Sequence, residues 1–168
     1  MQRRRWLQWG IAGAATLAVL GGGALLWQPA WDESGLSDTA GGLVSTLAEA
    51  ILDGSLPTAP PARAQALEGL LARTEDLIRN LPSHSQDELG QLLGLLNHPA
   101  GRVGLAGLHT PWAQASVEEV QQALQGMRLS SVSLKRQAYQ ALHDVIGGAY
   151  YADPSTWTEL GYPGPQAV

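Results

Sequence analysis

Cysteine is absent from this sequence of 168 residues. Without thiols, the chain has no disulfide, c-type haem attachment, iron–sulfur cluster, thiol catalysis or thiolate metal ligand. Basic residues are also scarce after residue 31, where 15 acidic and 7 basic side chains give a formal charge of −8. The sequence shows no basic patch in this part, so we expect no nucleic-acid partner.

Strand patterns are also lacking after residue 31, and apolar residues recur there at helical spacing. The predicted helices run from near Ser37 to Leu52, from near Pro61 to before Pro82, from the capping-box pair Ser85 and Glu88 to before Pro99, from the capping-box pair Ser116 and Glu119 onward, and from near Ser131 or Ser133 to Asp153. About 135 residues are enough for one modest core. We predict an all-α fold, with a small bundle of about five helices in residues 32–153.

The segment between the third and fourth predicted helices, residues 97–114, is long for a bundle loop. Its Gly101, Gly104 and Gly107 do not form the dinucleotide-binding fingerprint, and no strand precedes them. We expect Trp112 to pack into the core. Arg102 is expected to cap a helix end or to pair with a carboxylate.

Candidate catalytic groups are scattered. The four histidines are His84, His98, His109 and His143, and no two of them lie four residues apart on one helix. His143 is adjacent to Asp144, but neighbouring positions on a helix are expected to point apart. We therefore expect no catalytic residue, no metal site and no bound cofactor.

The amino terminus carries an export pattern. Three arginines, residues 3–5, precede an apolar run over residues 10–27. Arg3, Arg4, Trp6 and Leu7 resemble the twin-arginine export motif, in which Trp6 replaces the usual phenylalanine. The resemblance implies recognition by the twin-arginine translocase and delivery to the periplasm. An ordinary membrane anchor that follows the positive-inside rule is the alternative.

Whether residues 1–31 are removed stays open. The 18 residues from 10 to 27 are just long enough to span a bilayer as a helix. Trp6 and Trp9 precede this run, and Trp27 and Trp31 end or follow it, as is typical of side chains at the headgroup level. The small-residue cleavage pattern is poor. We expect an uncleaved signal-anchor helix that tethers the protein to the inner membrane.

The carboxyl-terminal segment, residues 154–168, is rich in aromatic residues and proline. Together with the preceding Tyr151, its Trp157, Tyr162 and Pro163 are candidates for docking a partner, because large rigid side chains dominate protein interfaces. The alternative is that these aromatic residues cover one face of the chain's own bundle.

This end of the chain resembles a known family. The aromatic pair at 150–151, the Asp-Pro step at 153–154, Trp157 and the Gly-Tyr-Pro-Gly run at 161–164 carry the resemblance. They are similar to the small subunits of periplasmic flavin dehydrogenases of the gluconate 2-dehydrogenase subunit 3 type. The closer resemblance is to the Tat leader-containing periplasmic proteins encoded beside GMC-type oxidoreductases. The longer insert of subunit 3 between the Asp-Pro step and the tryptophan is missing here.

The resemblance implies a non-catalytic accessory subunit of an oxidoreductase complex. Such a subunit carries the export signal for a GMC-type flavoprotein dehydrogenase that has no leader, and docks it. A further cytochrome subunit is left open. The alternative is a free-standing, membrane-tethered periplasmic helical protein that binds another partner.

Overall fold

The computed structural model describes residues 30–32, 34–158 and 161–164. The predicted export residues Arg3, Arg4, Trp6 and Leu7 lie outside them. The described part is mostly helical, as predicted, and the predicted signal helix lies outside it. Its five long helices are α1 (Asp38–Ile51), α2 (Pro60–Arg79), α3 (Ser83–Asn97), α4 (Val117–Arg128) and α5 (Ser133–Tyr151). None of the described helices is long and apolar enough to cross a membrane.

Local signals set most helix starts. The hydroxyl of Ser37 accepts a hydrogen bond from the Ala40 backbone N–H at the start of α1. At the start of α4, Ser116 and Glu119 form the predicted capping box, with each side chain bonded to the other's backbone N–H. Helix α2 begins with proline, whose fixed φ suits a first turn.

The predicted capping box at the start of α3 is wrong. The helix begins at Ser83, directly after Pro82, and no side chain caps it. Ser85 is therefore already inside the first turn, where it is buried. Glu88 lies in the following turn, and its Oε2 is buried without a hydrogen-bond partner among the described residues. Pro82 occupies the N-cap position, and its φ of −56° and extended ψ of 146° are typical of the residue that directly precedes a helix.

A short antiparallel hairpin precedes the bundle, although no strand was predicted. β1 (Trp31–Asp32) pairs with β2 (Gly35–Leu36), in a register that places Trp31 opposite Leu36. Two residues per strand are too few to show a periodic pattern. Trp31 was expected at the headgroup level, but it is half-buried against α3 and donates a hydrogen bond to Gln86. Ala30, the first residue that the structure describes, is buried, although the predicted domain boundary lies after residue 31.

Helix α1 is the centre of the bundle and contacts each of the other four long helices. Its buried face comprises Ala40, Leu43, Val44, Leu47, Ala48 and Ala50. Helix α2 packs along α5. One continuous core results, as expected for a chain of this length.

The long connection between α3 and α4 is folded rather than loose. It contains a helical turn (Pro99–Gly101), a π-helix (Arg102–Ala106) and a 3-10 helix (Trp112–Gln114). Trp112 is buried, as predicted, and its Nε1 donates a hydrogen bond of 2.8 Å to the Leu96 carbonyl.

Arg102 holds this connection together from within. Its Nε donates to the Leu108 carbonyl and its Nη2 to the His109 carbonyl. It neither caps one of the long helices nor forms an ion pair among the described residues, so that prediction is wrong. The chain folds back within seven residues and brings both carbonyls to 3.2 Å from the guanidinium nitrogens.

Candidate partner-docking surface

The predicted docking residues lie at the carboxyl end of α5. Tyr150, the last buried residue of that helix, is 3% exposed. Its hydroxyl donates a hydrogen bond of 2.6 Å to the Ser55 carbonyl, which anchors the connection between α1 and α2. The Tyr151 ring meets the Tyr150 ring edge-on at 5.1 Å and is half-buried.

Arg73, in the middle of α2, binds to the carboxyl end of α5. Its Nε donates to the Ala149 carbonyl at 2.8 Å, and its Nη1 lies 3.1 Å from Asp153 Oδ2. A cation at this position satisfies an unpaired helix carbonyl and suits the negative end of the helix dipole. Arg73 is 76 residues from its first partner in sequence. Sequence reasoning missed it because no local pattern distinguishes it from other polar residues on α2.

Asp153 turns the chain at the end of α5. Its Oδ1 accepts a hydrogen bond of 2.9 Å from the Ser155 backbone N–H, and the hydroxyl of buried Thr156 donates to its carbonyl. The Ser155 hydrogen bonds, with a smaller contribution from the Arg73 guanidinium, hold the pKa of Asp153 below its ordinary value. The proline at 154 then leads into a 3-10 helix, Pro154–Thr158.

The residues that follow fold back over Trp157, and we call residues 154–158 and 161–164 the tail hook. Trp157 Nε1 donates a hydrogen bond of 2.8 Å to the Tyr151 carbonyl. The Tyr162 backbone N–H returns to the Trp157 carbonyl at 3.0 Å. Gly164 lies against the indole, where a Cβ would be 3.5 Å from Cζ3, and its φ of +90° favours glycine.

The two aromatic rings of the hook, Trp157 and Tyr162, differ in exposure. Trp157 is half-buried by its own chain, so it supports the hook from inside. The Tyr162 ring packs edge-on against it, with centroids 5.3 Å apart and planes at 62°, and remains 49% exposed. Pro163 beside it is exposed. Thus the structure brings Trp157 and Tyr162 together and leaves Tyr162 and Pro163 accessible.

A groove of about 510 Å³ separates the hook from the first half of α2. Its lining residues are Pro57, Ala62, Gln65, Ala66, Gly69, Arg73, Tyr150, Asp153, Ser155 and Thr156. The polar groups of Arg73, Tyr150, Asp153 and Thr156 are already hydrogen-bonded within the chain. These four polar groups are therefore not free to bind a ligand, and the groove is mainly a concave surface beside the hook.

The pair His143 and Asp144 is closer than expected. His143 Nδ1 lies 3.7 Å from Asp144 Oδ1, so the prediction that these side chains point apart is wrong. Asp144 accepts a hydrogen bond of 2.6 Å from Gln140 one turn earlier, and the His143 ring lies 5.7 Å from that of Tyr139. These i, i+4 contacts draw both side chains along the helix surface. Within the described ranges, no group of three or more His, Cys, Asp or Glu could hold a metal ion.

We also compared the chain with known proteins. No protein-family model, curated protein or solved structure matches the chain.

Proposed function

We propose that this chain is the non-catalytic accessory subunit of a periplasmic, flavin-dependent GMC-type dehydrogenase. It carries the twin-arginine signal for a catalytic subunit that has none, and it docks that subunit through the tail hook. The observation that carries the docking proposal is the half-exposed Tyr162 ring held on Trp157 at the end of α5. The identity of the partner rests on the sequence resemblance at both ends of the chain.

The hook has the physical properties of a binding element. Tyrosine and tryptophan supply large contact areas with few rotatable bonds. Tyr162 is held by the ring of Trp157 and by its own backbone hydrogen bond, so little side-chain freedom is lost when a partner covers it. Pro163 fixes the backbone φ directly after Tyr162. Gly161 and Gly164 adopt the positive φ values that the turn requires, 65° and 90°.

A role in export explains why such an element would sit on a small helical chain. The twin-arginine pathway moves folded proteins, so a flavoprotein that has bound its cofactor in the cytoplasm can travel on a partner's signal. The partner must then stay bound during transport, which requires an interface centred on a few well-packed residues. We assign Tyr162, with the adjacent Pro163, as this centre. Tyr151 contributes through its carbonyl, which holds Trp157 in place.

The docking proposal is tested with the tagged full chain, co-expressed with the leaderless GMC-type flavoprotein that the proposal requires. Tyr162→Ala should weaken binding by about 2 kcal/mol, or about thirtyfold in Kd, with an unchanged circular dichroism melt. Leu129→Ala is the matched control, because Leu129 is even more exposed, at 68%, and lies at the other end of α5. It should retain the flavoprotein fully.

Three results would contradict the proposal. Retention of the flavoprotein by Tyr162→Ala and by a chain lacking residues 157–168 would show that the hook does not dock it. Stoichiometric flavin in the chain purified alone would overturn the non-catalytic role. Capture of a different periplasmic protein, with no flavoprotein, would support the free-standing tethered protein instead.

A further inference from the structure

The connection between α4 and α5 exposes two apolar side chains. Leu129, directly after α4, is 68% exposed, and Val132, directly before α5, is 50% exposed. Ser130 and Ser131 lie between them. Leu129 is the most exposed large hydrophobic residue in the described part of the chain. Nothing described covers this tip.

Three cations flank the tip along the chain. Arg128, Lys135 and Arg136 are three of the seven basic residues after residue 31, and no carboxylate occurs between Glu119 and Asp144. None of the three forms an ion pair with any described residue. We call residues 128–136 the basic corner. Arg128 is the last residue of α4, and Lys135 and Arg136 lie in the first turn of α5, so this short segment is locally basic.

The corner is held in shape by its own contacts. Arg136 Nη1 donates a hydrogen bond to the Ser130 carbonyl, and Arg128 Nε donates one to Gln125 Oε1. Arg128 and Arg136 are nevertheless exposed residues, and Lys135 is half-buried. Their charge is therefore available to a ligand outside the chain.

The charge of the remaining surface makes the corner distinctive. Outside it, the chain after residue 31 carries 15 acidic and only four basic residues. An anionic surface therefore repels most of this molecule and attracts one end of it. Exposed apolar side chains at the tip, ringed by lysine and arginine, fit the boundary between lipid headgroups and acyl chains. An acidic protein segment would match the cations but would leave Leu129 and Val132 without a comparable environment.

We propose that the basic corner binds the surface of an anionic lipid bilayer, with Leu129 and Val132 entering the interfacial region. Helix α5 has 19 residues and so is about 28 Å long. The corner lies at its amino end and the tail hook at its carboxyl end, so lipid and a docked partner occupy opposite ends of α5. The proposal does not depend on what the hook binds.

Residues 10–27 are themselves apolar, so vesicle binding by the full chain would not isolate the corner. A local probe does. Because the chain has no cysteine, Leu129→Cys gives one labelling site for an environment-sensitive fluorophore. Thr58→Cys is the matched control, since Thr58 is exposed and follows Pro57, which lines the groove at the other end of α5.

Both labelled full chains are mixed with phosphatidylcholine vesicles that carry brominated acyl chains, with or without phosphatidylglycerol. We expect quenching at residue 129 only with phosphatidylglycerol, and none at residue 58 with either vesicle. Replacing Arg128, Lys135 and Arg136 by glutamine should weaken the contact about fivefold per cation at low salt. Arg128→Lys with Arg136→Lys should retain it, because headgroup attraction needs charge rather than guanidinium geometry.

The proposal is overturned by equal quenching at residue 129 in neutral and anionic vesicles, or by equal quenching at residues 129 and 58. It is also overturned if residue 129 is unquenched by lipid but becomes shielded when the flavoprotein is added. That last result would assign the corner to a protein interface.

Discussion

Asp153 contacts three other residues, one on α2 and two at the start of the tail hook. Its two carboxylate oxygens contact Arg73 of α2 and the backbone of Ser155, and its carbonyl accepts from Thr156. The turn that positions the tail hook therefore depends on an ionised side chain. Trp157, four residues on, depends on that turn for its contact with the Tyr151 carbonyl.

The charge of Asp153 should make part of the stability pH-dependent. Because its folded-state pKa is lowered, ionised Asp153 stabilises the fold above the ordinary carboxyl range, and this contribution is lost as pH falls through the lowered value. We expect Asp153→Asn to be less stable than the wild-type chain at pH 7. The difference should shrink as the pH falls below about 4.

Urea unfolding of both chains from neutral to acidic pH checks this expectation. Asparagine keeps an Oδ1 acceptor for the Ser155 N–H, so the substitution isolates the charge. Asp32 and Glu118, whose pKa values are also lowered by hydrogen bonds, are present in both chains and cancel in the difference. A stability difference that does not change with pH would contradict the electrostatic account.

At the scale of elements, the path of the segment after α3 depends on a close contact between its backbone and the end of α3. The helical turn Pro99–Gly101 folds back onto the last turn of α3, so that a Cβ at residue 101 would overlap the Leu95 carbonyl oxygen. This approach sets the direction of the π-helix that follows. It also places Trp112 where its indole reaches the Leu96 carbonyl.

Gly101→Ala should therefore lower the free energy of unfolding by about 2–3 kcal/mol, because backbone must shift to make room. Gly104→Ala, three residues on, is the matched control, since nothing lies within 4 Å of its added Cβ. It should change stability little, or raise it by up to about 1 kcal/mol through helix propensity. Urea unfolding measures both variants, and equal stability losses would refute the close-contact explanation.

At the scale of the whole molecule, the two ends of the chain carry different tasks in the proposed function. The amino-terminal signal directs the complex, and the tail hook at the carboxyl end holds the cargo. The helical bundle between them supplies one rigid core around α1. Export of the flavoprotein then requires both ends of one chain.

The double variant Arg3→Lys with Arg4→Lys should leave this chain and the co-expressed flavoprotein in the cytoplasm, because the twin-arginine motif requires the arginine pair. Arg5→Lys is the matched control, since residue 5 occupies the variable position of the motif. Cell fractionation with immunoblotting of both proteins measures the outcome. Periplasmic delivery of the double variant, in cells that also lack the translocase, would refute this route.

Much of the fold was determined by the sequence alone. The helical spacing of leucines, the Ser116–Glu119 capping box, and Ser37 at the start of α1 predicted helices close to those observed. The burial of Trp112 was also predictable. These features depend on neighbours within a few residues or on the hydrophobic effect, both of which a linear pattern displays.

Other features depended on tertiary structure. Arg73 and Asp153 are far apart in sequence, and only the packing of α2 along α5 brings them within 3.1 Å. The Trp31 hairpin is too short for a period, and Pro82 began α3 ahead of the expected capping pair. The sequence marked Trp157 and Tyr162 together as docking residues. Only the folded chain decided which ring is covered, because the turn after α5 places the Tyr151 carbonyl and Gly164 against Trp157 and leaves Tyr162 at the surface.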